Sequence, residues 1–534
     1  VNRTTLSLIA GTAALAAVTG FATLNEPKGA GADDPAKAAA VLPVERTSLL
    51  CPAPSTSDIA QTSYTSFTPV TKGTGSDGTA ELAAATEESA DPADDTSDKD
   101  KKTDGTGKTG ETDKPDKADK TNKDDKSGKG DKGGKKAEKS VVTPKEPGTP
   151  ATGDTDGGDS PALVGTAEGK FAPGWTVQET TEVAAGSGRG LLGVTCTPAD
   201  TEFWFPGAST AADRTDYVHL TNPDDSAAVA DIELYGKDGA LQTTVGEGIT
   251  VPPHSSEPIL LSTLTDAKED DLTVHVNVRG GRVGAAVQAL DDKLGGDWLA
   301  AATDPAADLV VPGIPKDATA VRLVVYAPGD ADADLKIQLA SPSGLITPAG
   351  HETVHVKGGM TTAVDLGDVT RGEAGSIVLT PTDRPVPVVA AVRVLRGKGG
   401  DQESAFIPAS APVGTRASAV DNTAKGATLS LTAPKGTAKV KVTASAGSEG
   451  GTAASKTYTI KSGTTQDVEL PVPTGLKGTF ALTVEPLTDT PVYAARTLAA
   501  TEEGVPGFTI QTLPDDRGTV EVPQADENMA VLQK

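Results

Sequence analysis

The chain has 534 residues, only 3 % of them aromatic, and carries a formal charge of −26 with a pI near 4.6. That acidity excludes a nucleic-acid partner, because neutralising phosphates needs a basic face that the repeated modules lack. Scarce aromatics weigh against sugar-binding platforms, which stack rings on exposed Trp or Tyr.

Residues 5–24 are uncharged and follow Arg3, the pattern of an export signal or of a single N-terminal membrane anchor helix. Residues 1–32 are assigned to that segment, with Ala30-Gly31-Ala32 as a cleavage site. Either reading places the remainder outside the cytoplasm, at the cell surface or secreted.

Only two cysteines occur, Cys51 and Cys196. In an oxidising compartment an even pair reads as a disulfide. Closing a loop of that length stabilises the fold by about 5 kcal/mol in the chain-entropy model. A reactive or metal-binding thiol would want a neighbouring His or a Cys-x-x-Cys pair, and the sequence has neither.

Residues 71–160 contain no aromatic side chain and few branched apolar ones. Such a segment cannot bury enough apolar surface to offset its ordering entropy, so a disordered charged linker is expected. Glu81 to Asp98 is acidic and Lys99 to Lys139 is lysine-dense with interleaved Asp. The plain reading is a solvated spacer; the sharper one is contact of the lysine block with an anionic wall polymer. The linker splits an N-terminal β unit of residues 41–70 plus 161–198. An echo of Leu192 to Pro198 in Leu299 to Pro305 suggests that unit as a further repeat.

Downstream the chain repeats itself. Val283-Gly284-Ala285-Ala286, Val388-Val389-Ala390-Ala391 and Val492-Tyr493-Ala494-Ala495 recur at spacings of 105 and 104 residues. Asn222-Pro223, Ala327-Pro328 and Ala433-Pro434 recur at 105 and 106. One module of about 100 residues, the size of a β-sandwich, has been copied. Ile249-Thr250-Val251 aligns with Val354-His355-Val356 and Tyr458-Thr459-Ile460; Ile259 aligns with Val364 and Val468. Apolar and polar residues alternate there at period two, as strands with one face on a core require. Phe205-Pro206, Val311-Pro312 and Ile407-Pro408 each end an apolar run with proline and mark repeat starts on edge strands. The expected fold class is all-β: tandem Ig-like β-sandwich domains over 199–300, 301–400 and 401–500. Residues 501–534 form C-terminal strands packed on the last repeat.

Several motifs imitate chemistry. His351-Glu352-Thr353-Val354-His355 matches His-Glu-x-x-His, which binds zinc only on a helix. Here it runs into a strand pattern, where residues four apart lie about 13 Å from each other. Asp330, Asp332 and Asp334 alternate before a strand and read as a solvated turn rather than a calcium loop. Gly73-x-Gly75-x-x-Gly78 and Gly105-x-Gly107-x-x-Gly110 lack the flanking strand and helix of a nucleotide loop. Five histidines scattered over the repeats nominate no catalytic set. No catalytic residue, cofactor or metal is assigned. Phe203-Trp204-Phe205, Trp298, Phe406 and Phe508 fall where one unit joins the next, which reads as junction packing. The alternative is an interdomain ligand groove involving Trp175, Phe203, Trp204 and Trp298.

The export segment, Cys51-Pro52, Gly190-Leu191-Leu192 leading to Cys196, Trp204-Phe205-Pro206-Gly207-Ala208 and Leu220-Thr221-Asn222-Pro223 together resemble a family of exported actinobacterial proteins. That family is catalogued as a domain of unknown function, so the resemblance implies an envelope location and carries over no site residues. The expected function is therefore non-enzymatic: an exported array of sandwiches with a structural or protein-interaction role. A wall-polymer or carbohydrate-binding module is the alternative. The partner would be an envelope protein or wall polymer, and the membrane itself where the N-terminal segment stays uncleaved.

Overall fold

The computed structural model describes residues 40–85, 140–502 and 505–522. The proposed signal or anchor over 1–32 and the lysine block lie outside the described residues. Among those described, no helix is long and apolar enough to cross a membrane. The chain divides into two compact units, one from Val44 to Gly518 and one from its two ends.

Nearly everything is antiparallel strand. After β1 (Ala40–Pro43), a first sandwich contains β2 (Arg46–Cys51), β3 (Gln61–Phe67), β4 (Ala80–Ala84), β5 (Ala151–Asp156), β6 (Leu163–Glu168), β7 (Thr176–Val183) and β8 (Gly190–Thr195). Its two sheets run β2-β6-β4 and β5-β3-β7-β8.

The second sandwich contains β9 (Glu202–Ala208), β10 (Arg214–Thr221), β11 (Ala228–Gly236), β12 (Gly239–Ala240), β13 (Ile249–Val251) and β14 (Ser256–Leu260), then β15 (Leu272–Gly280), β16 (Gly284–Asp291) and β17 (Gly295–Leu299). One helical turn, α1 (Leu261–Leu264), follows β14. The sheets run β9-β15-β11-β12, with β13 on β11, and β14-β10-β16-β17.

The third sandwich contains β18 (Leu309–Ile314), β19 (Ala320–Tyr326), β20 (Ala333–Ser341), β21 (Gly344–Ile346), β22 (Thr353–Val356) and β23 (Thr361–Gly367), then β24 (Gly375–Pro381), β25 (Val389–Arg396) and β26 (Glu403–Pro408). The fourth contains β27 (Ala417–Asn422), β28 (Ala427–Ala433), β29 (Ala438–Gly447), β30 (Gly450–Thr452), β31 (Ala454–Ile460) and β32 (Thr464–Val468), then β33 (Thr474–Lys477), β34 (Phe480–Pro486), β35 (Tyr493–Glu502) and β36 (Val505–Thr512). Their strand orders repeat those of the second, with β33 added to the fourth. The last strand, β37 (Thr519–Val522), pairs with β1 as the separate two-stranded unit.

The first sandwich has the same order as the others. In its sheets β2, β6 and β4 stand where β9, β15 and β11 stand, and β5-β3-β7-β8 matches β14-β10-β16-β17. A short antiparallel bridge from Val142 to Leu82 of β4 stands where β13 pairs with β11; among the described residues there is no counterpart of β12, and residues 86–139 lie between β4 and that bridge in the chain.

Three sequence readings need correction. Residues 71–160 are not one linker, because β4 and β5 lie inside them. Ala80, Leu82 and Val142 are buried in the first sandwich, whereas β5 is a polar edge strand held by backbone pairing to β3. Composition cannot register a strand whose stability comes from its ladder. Ile407-Pro408 does not start a repeat; it ends β26. The counterpart of Phe205-Pro206-Gly207 and Val311-Pro312-Gly313 is Ala419-Val420-Asp421, at the same bulge of the first strand. That bulge turns the chain to positive φ, at 106° for Gly207, 80° for Gly313 and 63° for Asp421, and Asp tolerates the left-handed region better than most side chains. Finally, of the C-terminal strands expected to pack on the last repeat, β36 does so by pairing with β35, and β37 does not. β36 is an integral strand of it, and β37 belongs with β1.

The core of each sandwich follows from the period-two pattern. Val218, Leu323 and Leu429 occupy one register position facing Ile259, Val364 and Val468. Cys51 and Cys196 form the disulfide, which ties the end of β2 to the residue after β8.

Candidate functional site at the ring centre

The four sandwiches pack head to tail and close on themselves. Each contributes one inner edge strand, β8, β17, β26 or β36, and each such strand meets the next. Cross-strand register defines one equivalent position on all four: Thr180 pairs with Gly193, Gln288 with Trp298, Arg393 with Phe406 and Thr497 with Ile510. Trp298 enters the first sandwich among Ala60, Val183, Leu192 and Val194. Phe406 joins the core of the second beside Leu299. Ile510, with Phe508, joins the core of the third beside Ala405 and Ile407.

The fourth junction closes the ring. Thr509 and Gln511 of the fourth sandwich both donate to the Gly193 carbonyl of the first, at 3.3 and 3.2 Å. Thr65 and Thr180 donate to the Asp421 carboxylate at 3.3 and 2.8 Å. Arg416 donates to Thr71 Oγ1 at 3.1 Å and to the Pro173 carbonyl at 3.2 Å.

Asp297 sits where the four meet. Its Oδ1 accepts the Gly193 amide of the first sandwich at 3.2 Å and the Thr509 hydroxyl of the fourth at 2.9 Å. The backbone amide of Phe406 of the third also favours the ionised form of this carboxyl, which belongs to the second. Full burial pushes its pKa up to about 8, against the pull of those donors. Its Oδ2 is a buried acceptor without a partner, which agrees with burial favouring the protonated carboxyl. The arrangement ties the ring together through one side chain.

The residues singled out from sequence take varied places. Trp175, 4 % exposed, lies in the core of the first sandwich, where its Nε1 donates to Ser66 Oγ at 2.8 Å. Phe203, 7 % exposed, lies in the core of the second. Trp204, 6 % exposed, packs on Tyr326 and Val389 of the third sandwich and stacks on His275 at 3.7 Å between ring centroids. Trp298 is 2 % exposed. The structure thus brings no two of the four into a shared groove, and none offers a ring face to solvent. At the first junction a cavity of about 20 Å³ lined by Leu50, Pro52, His219 and Thr221 has room for one water. Burial holds His219 there at a pKa of about 4, hence neutral.

His351 precedes β22 and His355 lies within it, its Nδ1 2.8 Å from Asp334 and its Nε2 3.7 Å from Asp332. Those carboxylates are thus partners of an exposed imidazole. Among the described residues no group of three or more His, Cys, Asp or Glu is placed to hold a metal ion.

Sequence reasoning missed Asp297, Gly193, Thr509, Gln511 and Asp421. For the first four the signal is a polar or glycine residue in a column that is otherwise apolar: Leu192, Asp297, Ala405 and Thr509 share one position, Gly193 stands with Trp298, Phe406 and Ile510, and Gln511 with Val194, Leu299 and Ile407, whereas Asp421 stands with Gly207 and Gly313.

A family model described as a family of unknown function, DUF5719, matches residues 151–471. The match runs from β5 past β32 and contains the second and third sandwiches whole. No curated protein and no solved structure matches the chain.

Proposed function

The chain belongs to DUF5719, a family of unknown function, and on that footing we propose that it is a non-catalytic, exported element of the cell envelope with a structural or protein-interaction role. The observation that carries this reading is the use made of the large side chains. Trp204, Trp298, Phe406 and Phe508 are all consumed between sandwiches, which favours a rigid body that presents loops and strand edges over a cleft that grips a ligand. The Cys51–Cys196 disulfide supports an oxidising compartment, and the uncharged segment 5–24 supports export, either cleaved or kept as a tether. The partner is an envelope protein. Burial of the three tryptophans disfavours the carbohydrate-binding alternative, which would use them as stacking platforms.

Crosslinking on intact cells, followed by identification of what is captured, tests this directly. Recovery of a defined envelope protein supports the reading. Saturable retention of the purified chain on protein-free wall polymer, with no protein captured, would overturn it.

A further inference from the structure

The four junctions are of one kind but not of one chemistry. Three seat a large apolar side chain: Trp298, Phe406, and Ile510 with Phe508. The fourth places Gly193 at that position and meets it with Thr509 and Gln511. A Cβ on Gly193 would stand 2.5 Å from Thr509 Cγ2, so this junction is tight rather than hollow. Around it lie the Asp421 and Arg416 hydrogen bonds to the first sandwich, with small apolar contacts of Phe67 with Val420 and Ala481 and of Leu191 with Gly507.

Connectivity singles out the same junction. Short links carry the chain from β8 to β9, from β17 to β18 and from β26 to β27, so three junctions join sandwiches adjacent in sequence. The fourth joins the last sandwich to the first. Parting it returns hydroxyl, amide and carboxylate groups to water, which rebinds them, so each hydrogen bond lost is largely replaced by one to solvent. Parting any other junction withdraws Trp298, Phe406 or Phe508 from the core of the neighbouring sandwich, whereas here the apolar contacts given up are those of Phe67 with Val420 and Ala481 and of Leu191 with Gly507. Head-to-tail contacts of this type are satisfied equally by the same chain, closing a ring, or by another copy, continuing a series.

We propose that the fourth junction is exchangeable: the face of the first sandwich built by Thr65, Thr180 and Gly193 accepts the fourth sandwich of a second copy of this chain, which presents Asp421, Thr509 and Gln511. The intermolecular contact reuses every bond of the intramolecular one and needs no new surface. Chain concentration then sets the balance, since the closed ring is favoured by the effective concentration of its own end.

Complementary variants of the full chain test this. Gly193→Trp blocks the face on the first sandwich and leaves that on the fourth; Thr509→Trp does the reverse. Neither can close its own ring or bind itself, but the pair retains one intact junction between copies. Sedimentation should show each variant monomeric alone and a mixture forming a 1:1 complex of doubled mass. A mixture that stays monomeric, with both variants folded by circular dichroism, overturns the proposal. Should either variant fail to fold, the wild-type chain decides when refolded from denaturant at low and at high concentration. A discrete oligomer at high concentration that dilution converts to monomer supports exchange; monomer at every concentration refutes it.

Discussion

The Thr509 hydroxyl donates to Asp297 Oδ1 at 2.9 Å, across 212 residues of sequence and between the fourth and second sandwiches. The same oxygen takes the Gly193 amide of the first. Opposite sides of the ring are thereby held through one carboxyl, and the behaviour of that carboxyl is open to measurement.

Burial raises the Asp297 pKa from 3.8 to about 8. Between those values the folded chain binds a proton that the unfolded chain has released. The contribution is therefore fully present below about pH 4 and is lost as pH rises through 8. Asp297→Asn keeps an acceptor and cannot ionise. Calorimetric melting from pH 5 to pH 9 should show the wild type losing stability relative to this variant; parallel pH profiles for the two would discard the assignment.

The apolar junctions should behave as core packing does. Trp298→Ala removes the plug from the first sandwich and should destabilise by roughly 3–5 kcal/mol, the range for large-to-small aromatic changes at buried sites. Denaturant unfolding measures this, and a loss under 1 kcal/mol would mean the ring lies on the surface.

Arg496 is fully buried and its guanidinium nitrogens have no hydrogen-bond partner. Its register partner is Leu429, as Val218 is for Val287 and Leu323 is for Val392. An arginine thus occupies a core position that the second and third sandwiches fill with valine. Burial lowers its pKa to about 10, and the Asp421 carboxylate opposes that shift. Arg496→Val should raise stability by about 1–4 kcal/mol, because replacing a poorly compensated buried charge with an apolar side chain removes its desolvation penalty. A fall in melting temperature would instead show the Asp421 attraction to dominate.

Replacing residues 86–139 with a short Gly-Ser connection should leave melting unchanged or slightly raised. The first sandwich closes without them: the Leu82 amide donates to the Val142 carbonyl at 3.0 Å, and the Val141 amide returns to the Leu82 carbonyl at 2.8 Å. Circular dichroism melting checks this, and a marked loss of stability would place structural contacts within the deleted stretch.

Much of the fold was legible because it is local. Ile259, Val364 and Val468 announce equivalent strands through alternation alone, and the structure places all three opposite Val218, Leu323 and Leu429. The strand at His355 was legible for the same reason. β5 was not, since its residues Ala151–Asp156 alternate exposed and half-buried with no apolar stripe. Ile407-Pro408 misled because proline marks an edge strand without saying which edge.

Sequence by itself determined the repeat, the sheet-only character and the pair of cysteines, each of which follows from spacing or from side-chain chemistry along the chain. Only the tertiary structure decided that the last sandwich returns to the first and that Asp297 gathers groups from all four. Period-two patterning fixes which face of a strand is buried, but it carries no information about the rotation between one rigid module and the next. That rotation is set by what Trp298, Phe406, Ile510 and Gly193 meet across the junctions, and such contacts exist only once the chain has closed.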